Sequence, residues 1–197
     1  MSASTVYLVR HGAHDRLGRV LCGRDDTVLN EEGRRLAGRL GEHFARLGID
    51  AVQTSPLSRA TETAEPIARL AGRPAAIDQA LSEIDFGAWT GSTFDALEGR
   101  PDWRLWNEDR GRRRPPGGET MLEAQARIAG WLEGLRTGAK ALVAVSHADL
   151  IKAAVCYVLG LPLHLYDRFE IDPGSITTLT VADWGMKVQA MNERALA

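Results

Sequence analysis

Three short apolar runs each end abruptly in polar residues and give way at once to a helical pattern: "VYLVRHG" from Val6, "DAVQTSP" from Asp50 and "ALVAVSH" from Ala141. Such runs have strand length, and near-continuous apolar character is what strands covered on both faces require. After the first run, Asn30 reads as a helix N-cap with Glu31 and Glu32 in the first turn. Leu29, Leu36, Leu40, Phe44 and Leu47 follow at near-helical spacing, and Gly48 closes the helix. After the second run, Ser55-Pro56 reads as an N-cap with proline at the first helical position, opening a helix from about Pro56 to Ala71. Glu119 to about Arg136 reads as a helix with Met121, Ile128, Leu132 and Leu135 on one face. The third run leads into a helix from Asp149 to Leu159, stopped by Gly160 and Pro162. "SITTLTVAD" and "GMKVQAMN" alternate in the manner of a closing hairpin.

Strands alternating with helices predict an α/β fold with a mostly parallel central sheet. With 197 residues, no internal repeat and no composition break, one domain spanning 1–197 is expected. The segment at about 81–118, rich in tryptophan and charge, reads as a lid-like insertion. A net charge of -2 supplies no global basic field, so no nucleic-acid partner is expected and any anion must be held by local cations. Two cysteines, Cys22 and Cys156, form neither a disulfide framework nor a zinc motif, and a reducing, cytoplasmic setting is expected. The start "MSASTVYLVRHG" lacks the pattern of a signal peptide, and no stretch approaches the roughly 20 apolar residues of a membrane span, so no membrane partner is expected.

The polar residues at the strand ends carry the chemistry. In open α/β sheets ligands bind outside the carboxyl ends of the strands. Parallel pairing would bring Arg10 and His11, Arg59 one turn into its helix, and His147 onto one rim. Helix N-termini there favour an anion, and two guanidinium forks match phosphate oxygens. A phosphate pocket holding two imidazoles is therefore expected. A carboxylate from "LSEIDFG" could serve as an acid, with Glu83 and Asp85 equally open on spacing alone. His43 and His164 read as structural or solvated, and Asp149 and Asp25-Asp26 as helix-start and turn residues. His14 reads as a rim residue. Arg110 to Arg114 reads as a solvated loop, or as a steering patch for an acidic substrate. His11, His14 and Asp15 lie too close together on one short segment to converge on a single ion, so no metal site is expected.

Six stretches in order resemble the histidine phosphatase superfamily, the phosphoglycerate mutase-like proteins, over almost the whole chain. They are "LVRHG", "GRDDTVLNEEG", "TSPLSRATETA", "LSEIDFGAWTG" and "PGGET" followed by "SHADLIK". The resemblance implies a three-layer α/β/α sandwich. It implies His11 as the phosphorylated residue, Glu83 as the acid, His147 as the second histidine, and Arg10 and Arg59 as phosphate ligands. Arg24 and Ala148 would contribute to substrate binding. The sequence departs from the family pattern at Ala13 and His14 after the first glycine, and at Ala148, where glycine is usual. The implied function is a phosphatase acting on a small phosphorylated substrate through phosphohistidine, without cofactor or metal. A phosphoglycerate mutase of the same family and a non-catalytic phospho-ligand binding protein are the alternatives.

Overall fold

Alternation along the inner strands sorts the molecule into layers. On β1 (Ala3–Arg10), Val6 and Leu8 enter one apolar cluster while Tyr7 and Val9 face another. On β4 (Ala141–Ser146), Ala144 joins the first cluster and Val143 and Val145 the second. The period of two thus gives each inner strand two buried faces. The computed structural model describes residues 3–137 and 141–195.

The second cluster is closed by α1 (Glu31–Leu47), through Leu40 and Phe44, and by α2 (Ser58–Ala71), through Ala60, Ala64, Ile67 and Ala68. The first is closed by α5 (Met121–Gly134), through Met121, Ala124, Ile128 and Leu132, and by α6 (Ala148–Leu159), through Leu150, Ile151, Ala153 and Ala154. Between the helical layers, β2 (Ala51–Thr54), β3 (Ala75–Ile77), β5 (Ser175–Ala182) and β6 (Gly185–Arg194) complete a six-stranded sheet in the order β3-β2-β4-β1-β5-β6. The β3–β2–β4–β1 pairs are parallel; β5 and β6 form the antiparallel closing hairpin. This is the expected three-layer architecture. Strand β3 has no counterpart in the sequence reading, because its three residues are exposed and carry no apolar period.

The segment after β3 holds α3 (Phe94–Glu98) and α4 (Pro101–Glu108). Phe86, Trp89, Leu97 and Trp106 are buried in the first cluster, with Trp106 edge-on to both Phe86 and Trp89. Two helix starts differ from expectation. Helix α2 begins at Ser58, not Pro56, and its N-terminus is capped from outside: the Ser58 amide donates to the Asp26 carboxylate at 3.1 Å. Helix α5 begins at Met121, because Thr120 and Glu123 form a reciprocal capping box that excludes Glu119. Among the described residues no helix is long and apolar enough to cross a membrane.

Candidate active site

Register brings the strand tips together. Arg10 of β1 lies opposite Ser146 of β4, and Thr54 of β2 opposite Val145. The ladder continues one step further: the His11 amide donates to Ser146 O at 2.9 Å and the Ser55 amide to Val145 O at 2.9 Å. The next side chains, His11, His147 and Ser55, therefore meet beyond the sheet. The two imidazole centroids are 5.1 Å apart. His147 is the N-cap residue of α6, but its ring makes no capping bond and instead has Nε2 2.8 Å from Ser55 Oγ. Ser55 thus faces His147 rather than opening α2, which corrects the reading of Ser55 as a helix cap.

His11 is held in one orientation. Its Nδ1 lies 2.8 Å from Gly12 O, an acceptor only, so this nitrogen carries the proton and Nε2 presents its lone pair. Arg59 Nε donates toward that Nε2 at 3.3 Å. Burial, then the Arg59 and Arg10 charges, hold the His11 pKa well below the usual histidine value, so the ring is neutral at pH 7. The glycine after His11 serves close approach rather than a left-handed turn. A Cβ on Gly12 would lie 2.7 Å from Gly33 O, and a Cβ on Gly33 would lie 2.1 Å from Ala13 O. The two glycines let the β1 tip and the start of α1 touch backbone to backbone, and the Gly12 amide donates to Thr63 Oγ1 at 2.9 Å.

Arg59 is almost fully buried, with Nη1 donating to Asp25 O at 2.9 Å and Nη2 to Gly23 O at 2.6 Å. Arg10 donates through Nη1 to Ile171 O at 2.6 Å, while its buried Nε has no partner. His147 Nδ1 is likewise buried and unpartnered. Arg10 and Arg59, with His11 and His147 both held well below the usual histidine pKa by burial and the arginine charges, make a setting for a compact anion, since among the described residues neither arginine has a directly bonded carboxylate.

Glu83 is buried within reach of the Arg59 and Arg10 charges. Its loop is tied to the β4 tip by Ser146 Oγ donating to Leu81 O at 2.8 Å. Arg127 Nη1 donates to Ala80 O and Ser82 O at 2.7 and 2.9 Å, and Arg24 Nε to Glu83 O at 3.0 Å. Glu119 bridges the two arginines, 3.1 Å from Arg24 and 3.0 Å from Arg127. Arg24 is thus bonded to the Glu83 backbone and paired with Glu119. Burial, with the Asp149 charge second, raises the Glu83 pKa to about 7. Asp85 turns away and accepts from the Gly87 amide at 2.8 Å, so only Glu83 of the two carboxylates lines the cleft. Ala148 opens α6 directly behind His147.

A cavity of about 150 Å³ is walled by His11, His14, Arg59, Glu83, Asp149 and the apolar Leu17, Val20, Leu21, Phe86 and Phe94. His14 is buried in that wall, its ring centroid 5.4 Å from that of His11, and burial followed by the arginine charges lowers its pKa to about 4. Asp149 was expected only as a helix-start residue; it also faces the cavity. Its sequence signal, an acid two residues after the histidine, is common to any helix N-terminus. Arg110 is not a solvated charge: its guanidinium lies 4.1 Å from the Trp106 ring centroid and 4.4 Å from that of Tyr166. Arg114 pairs with Glu123 at 2.6 Å on the surface. His43 packs edge-on against Phe44, and His164 lies in the 3-10 turn Leu163–Arg168, both away from the cavity. Asp15 accepts from Asn30 at 3.1 Å. Among the described residues no group of three or more His, Cys, Asp or Glu is placed to hold a metal ion.

The family model of the histidine phosphatase superfamily (branch 1) matches residues 6–194. A bifunctional protein of Mycobacterium tuberculosis is 34% identical over 94% of this chain and 53% of its own length, so the chain spans about half of that relative. A probable phosphoglycerate mutase of Salmonella paratyphi B is 35% identical over 88% of this chain and 83% of its own. The solved structure of a mycobacterial glucosyl-3-phosphoglycerate phosphatase superposes with a TM-score of 0.83 at 26% identity, covering 96% of this chain and 99% of that one.

Proposed function

The chain belongs to branch 1 of the histidine phosphatase superfamily, and on that premise we propose that it hydrolyses small-molecule phosphate monoesters through a phosphohistidine on His11. The observation that carries the reading is the fixed tautomer of His11. Nδ1–H is anchored on the Gly12 carbonyl, and the Nε2 lone pair, approached by Arg59 Nε at 3.3 Å, belongs to a ring that lines the cavity. In the first step Nε2 attacks phosphorus and the ester P–O bond breaks. Glu83, protonated through burial near neutral pH, gives its proton to the departing alkoxide. In the second step a water attacks phosphorus, Nε2–P breaks, and the water's proton passes to the Glu83 carboxylate. Arg10, Arg59 and His147 hold the equatorial oxygens, where charge spreads in the transition state. The N-terminus of α6 behind His147 and Ala148 adds positive potential. No metal is assigned a role, because the guanidinium groups and helix end supply the positive charge. Arg24 acts through Glu83 by fixing its backbone. Both cysteines are buried and unpaired, which supports the cytoplasmic placement.

The decisive experiment is rapid quench after mixing with a ³²P-labelled monoester. Label on His11, stable to base and lost in acid, is expected, together with its absence in His11→Ala. Label on another residue, or full turnover by His11→Ala, refutes the proposal. The 35% identity to a mutase relative supports a second reading, in which an alcohol rather than water accepts the phosphoryl group. Conversion of 3-phosphoglycerate to 2-phosphoglycerate without release of inorganic phosphate would select it.

A further inference from the structure

The cavity wall mixes one cation with two carboxylates. Arg59 and His11 line it, and Arg10 lies close enough for its charge to act on the His11 ring. Glu83 and Asp149 share the wall with Leu17, Val20, Leu21, Phe86 and Phe94. Among the described residues that line the cavity, Arg59 is the one cation, because His14 is kept neutral by its burial. A phosphoryl group engages Arg59 and Arg10. A second anionic group on the alcohol would then meet the Asp149 and Glu83 carboxylates.

The nearby arginines are committed elsewhere. Arg110 approaches Asp149 at 3.8 Å, but its faces are covered by Trp106 and Tyr166, and Nε and Nη2 donate to Asn107 Oδ1 at 3.2 and 2.6 Å. Arg16 pairs with Asp25, and Arg24 with Glu119 at 3.1 Å. The Asp149 carboxylate, in the first turn of α6, is itself paired with Arg110 at 3.8 Å.

We propose that Asp149 is a specificity-determining residue: it directs this site to phosphate monoesters whose alcohol part bears no negative charge and turns away carboxylate-bearing phosphates such as phosphoglycerates. The selection rests on the phosphoryl site assigned above. It works by like-charge repulsion and desolvation against the wrong substrate, while the apolar walls accept the carbon skeleton of the right one.

Two phosphonates of nearly equal size test it without needing turnover. One is 3,4-dihydroxybutylphosphonate, the carbon isostere of glycerol 3-phosphate. The other is 2-hydroxy-4-phosphonobutyrate, which carries a carboxylate where the first carries CH₂OH. Calorimetric Kd values on the full chain are expected to favour the diol by about tenfold at pH 8, the effect of one like-charge contact. In Asp149→Asn, and in Asp149→Ser as a second substitution of matched melting temperature, the ratio should fall toward one. Equal affinity in the native chain, an undiminished ratio in both variants, or no binding of the diol at millimolar concentration overturns the proposal. Phosphate release from glycerol 3-phosphate and nitrophenyl phosphate is measured alongside. A retained binding ratio with no release from either ester would remove the phosphatase reading and leave the selectivity standing.

Discussion

Replacing Glu83 by glutamine should slow only those substrates that need a proton on the leaving group. Glutamine keeps the shape and lacks the acidic proton. With a pKa near 7 the buried carboxyl is about half protonated at pH 7; at the ordinary 4.5 only about 0.3% would be, so burial enlarges the acid population about 150-fold. An alkoxide leaves badly and uses that proton; nitrophenolate is already a stable anion. Pre-steady-state bursts isolate phosphorylation of His11 from the later attack of water. For an alkyl phosphate the burst rate should fall roughly 10²–10⁴-fold in Glu83→Gln, the usual worth of general acid catalysis, while the nitrophenyl phosphate burst stays near normal and is followed by a slow steady state. In the native chain the alkyl burst should also fall about tenfold per pH unit above about 7. Asp149→Asn removes one cause of the raised pKa, so that limb should move to lower pH yet stay above 4.5, because burial, the larger cause, remains. Equal loss of the burst for both substrates would refute the acid role and leave Glu83 as a positioning group. The same result from Asp85→Asn would show that the wrong carboxylate was chosen.

Three further outcomes are expected. Because the Glu83 pKa is raised on folding, the native state binds the proton more tightly than the unfolded chain, and stability is lost as pH rises from 4.5 through about 7; urea titrations should show Glu83→Gln gaining roughly 3 kcal/mol over the native chain across that window, and a constant difference would contradict it. Gly33→Ala should destabilise by at least about 1–3 kcal/mol and more than Gly12→Ala, since its Cβ meets backbone at 2.1 Å rather than 2.7 Å; unchanged melting of Gly33→Ala would show that the β1–α1 contact yields freely. Ser55→Ala should cost about 1–3 kcal/mol in chemical denaturation and lower kcat by loosening His147, whose Nε2 loses its partner; native stability and turnover would show the ring to be held by packing alone.

The sequence by itself determined the layers and four of the site residues. Strand length, apolar runs and helix periods are local properties. Arg10, His11 and His147 stand directly at strand ends, with Arg59 one turn into the helix after the second strand. Parallel register then sufficed to bring them together. Glu83 was legible only through resemblance, because a loop carboxylate has no period to mark it. Tertiary structure alone decided what faces these residues. The partner of His147 is Ser55, 92 positions away. Arg24, read from sequence as a substrate ligand, donates to the Glu83 carbonyl and pairs with Glu119, 95 positions on. Asp149 and His14 became cavity walls, and the Arg110 guanidinium came to lie against two rings. Their charge states follow the same division: the sequence names which groups can ionise, but burial and neighbouring charge, which shift a pKa, exist only when distant segments pack together.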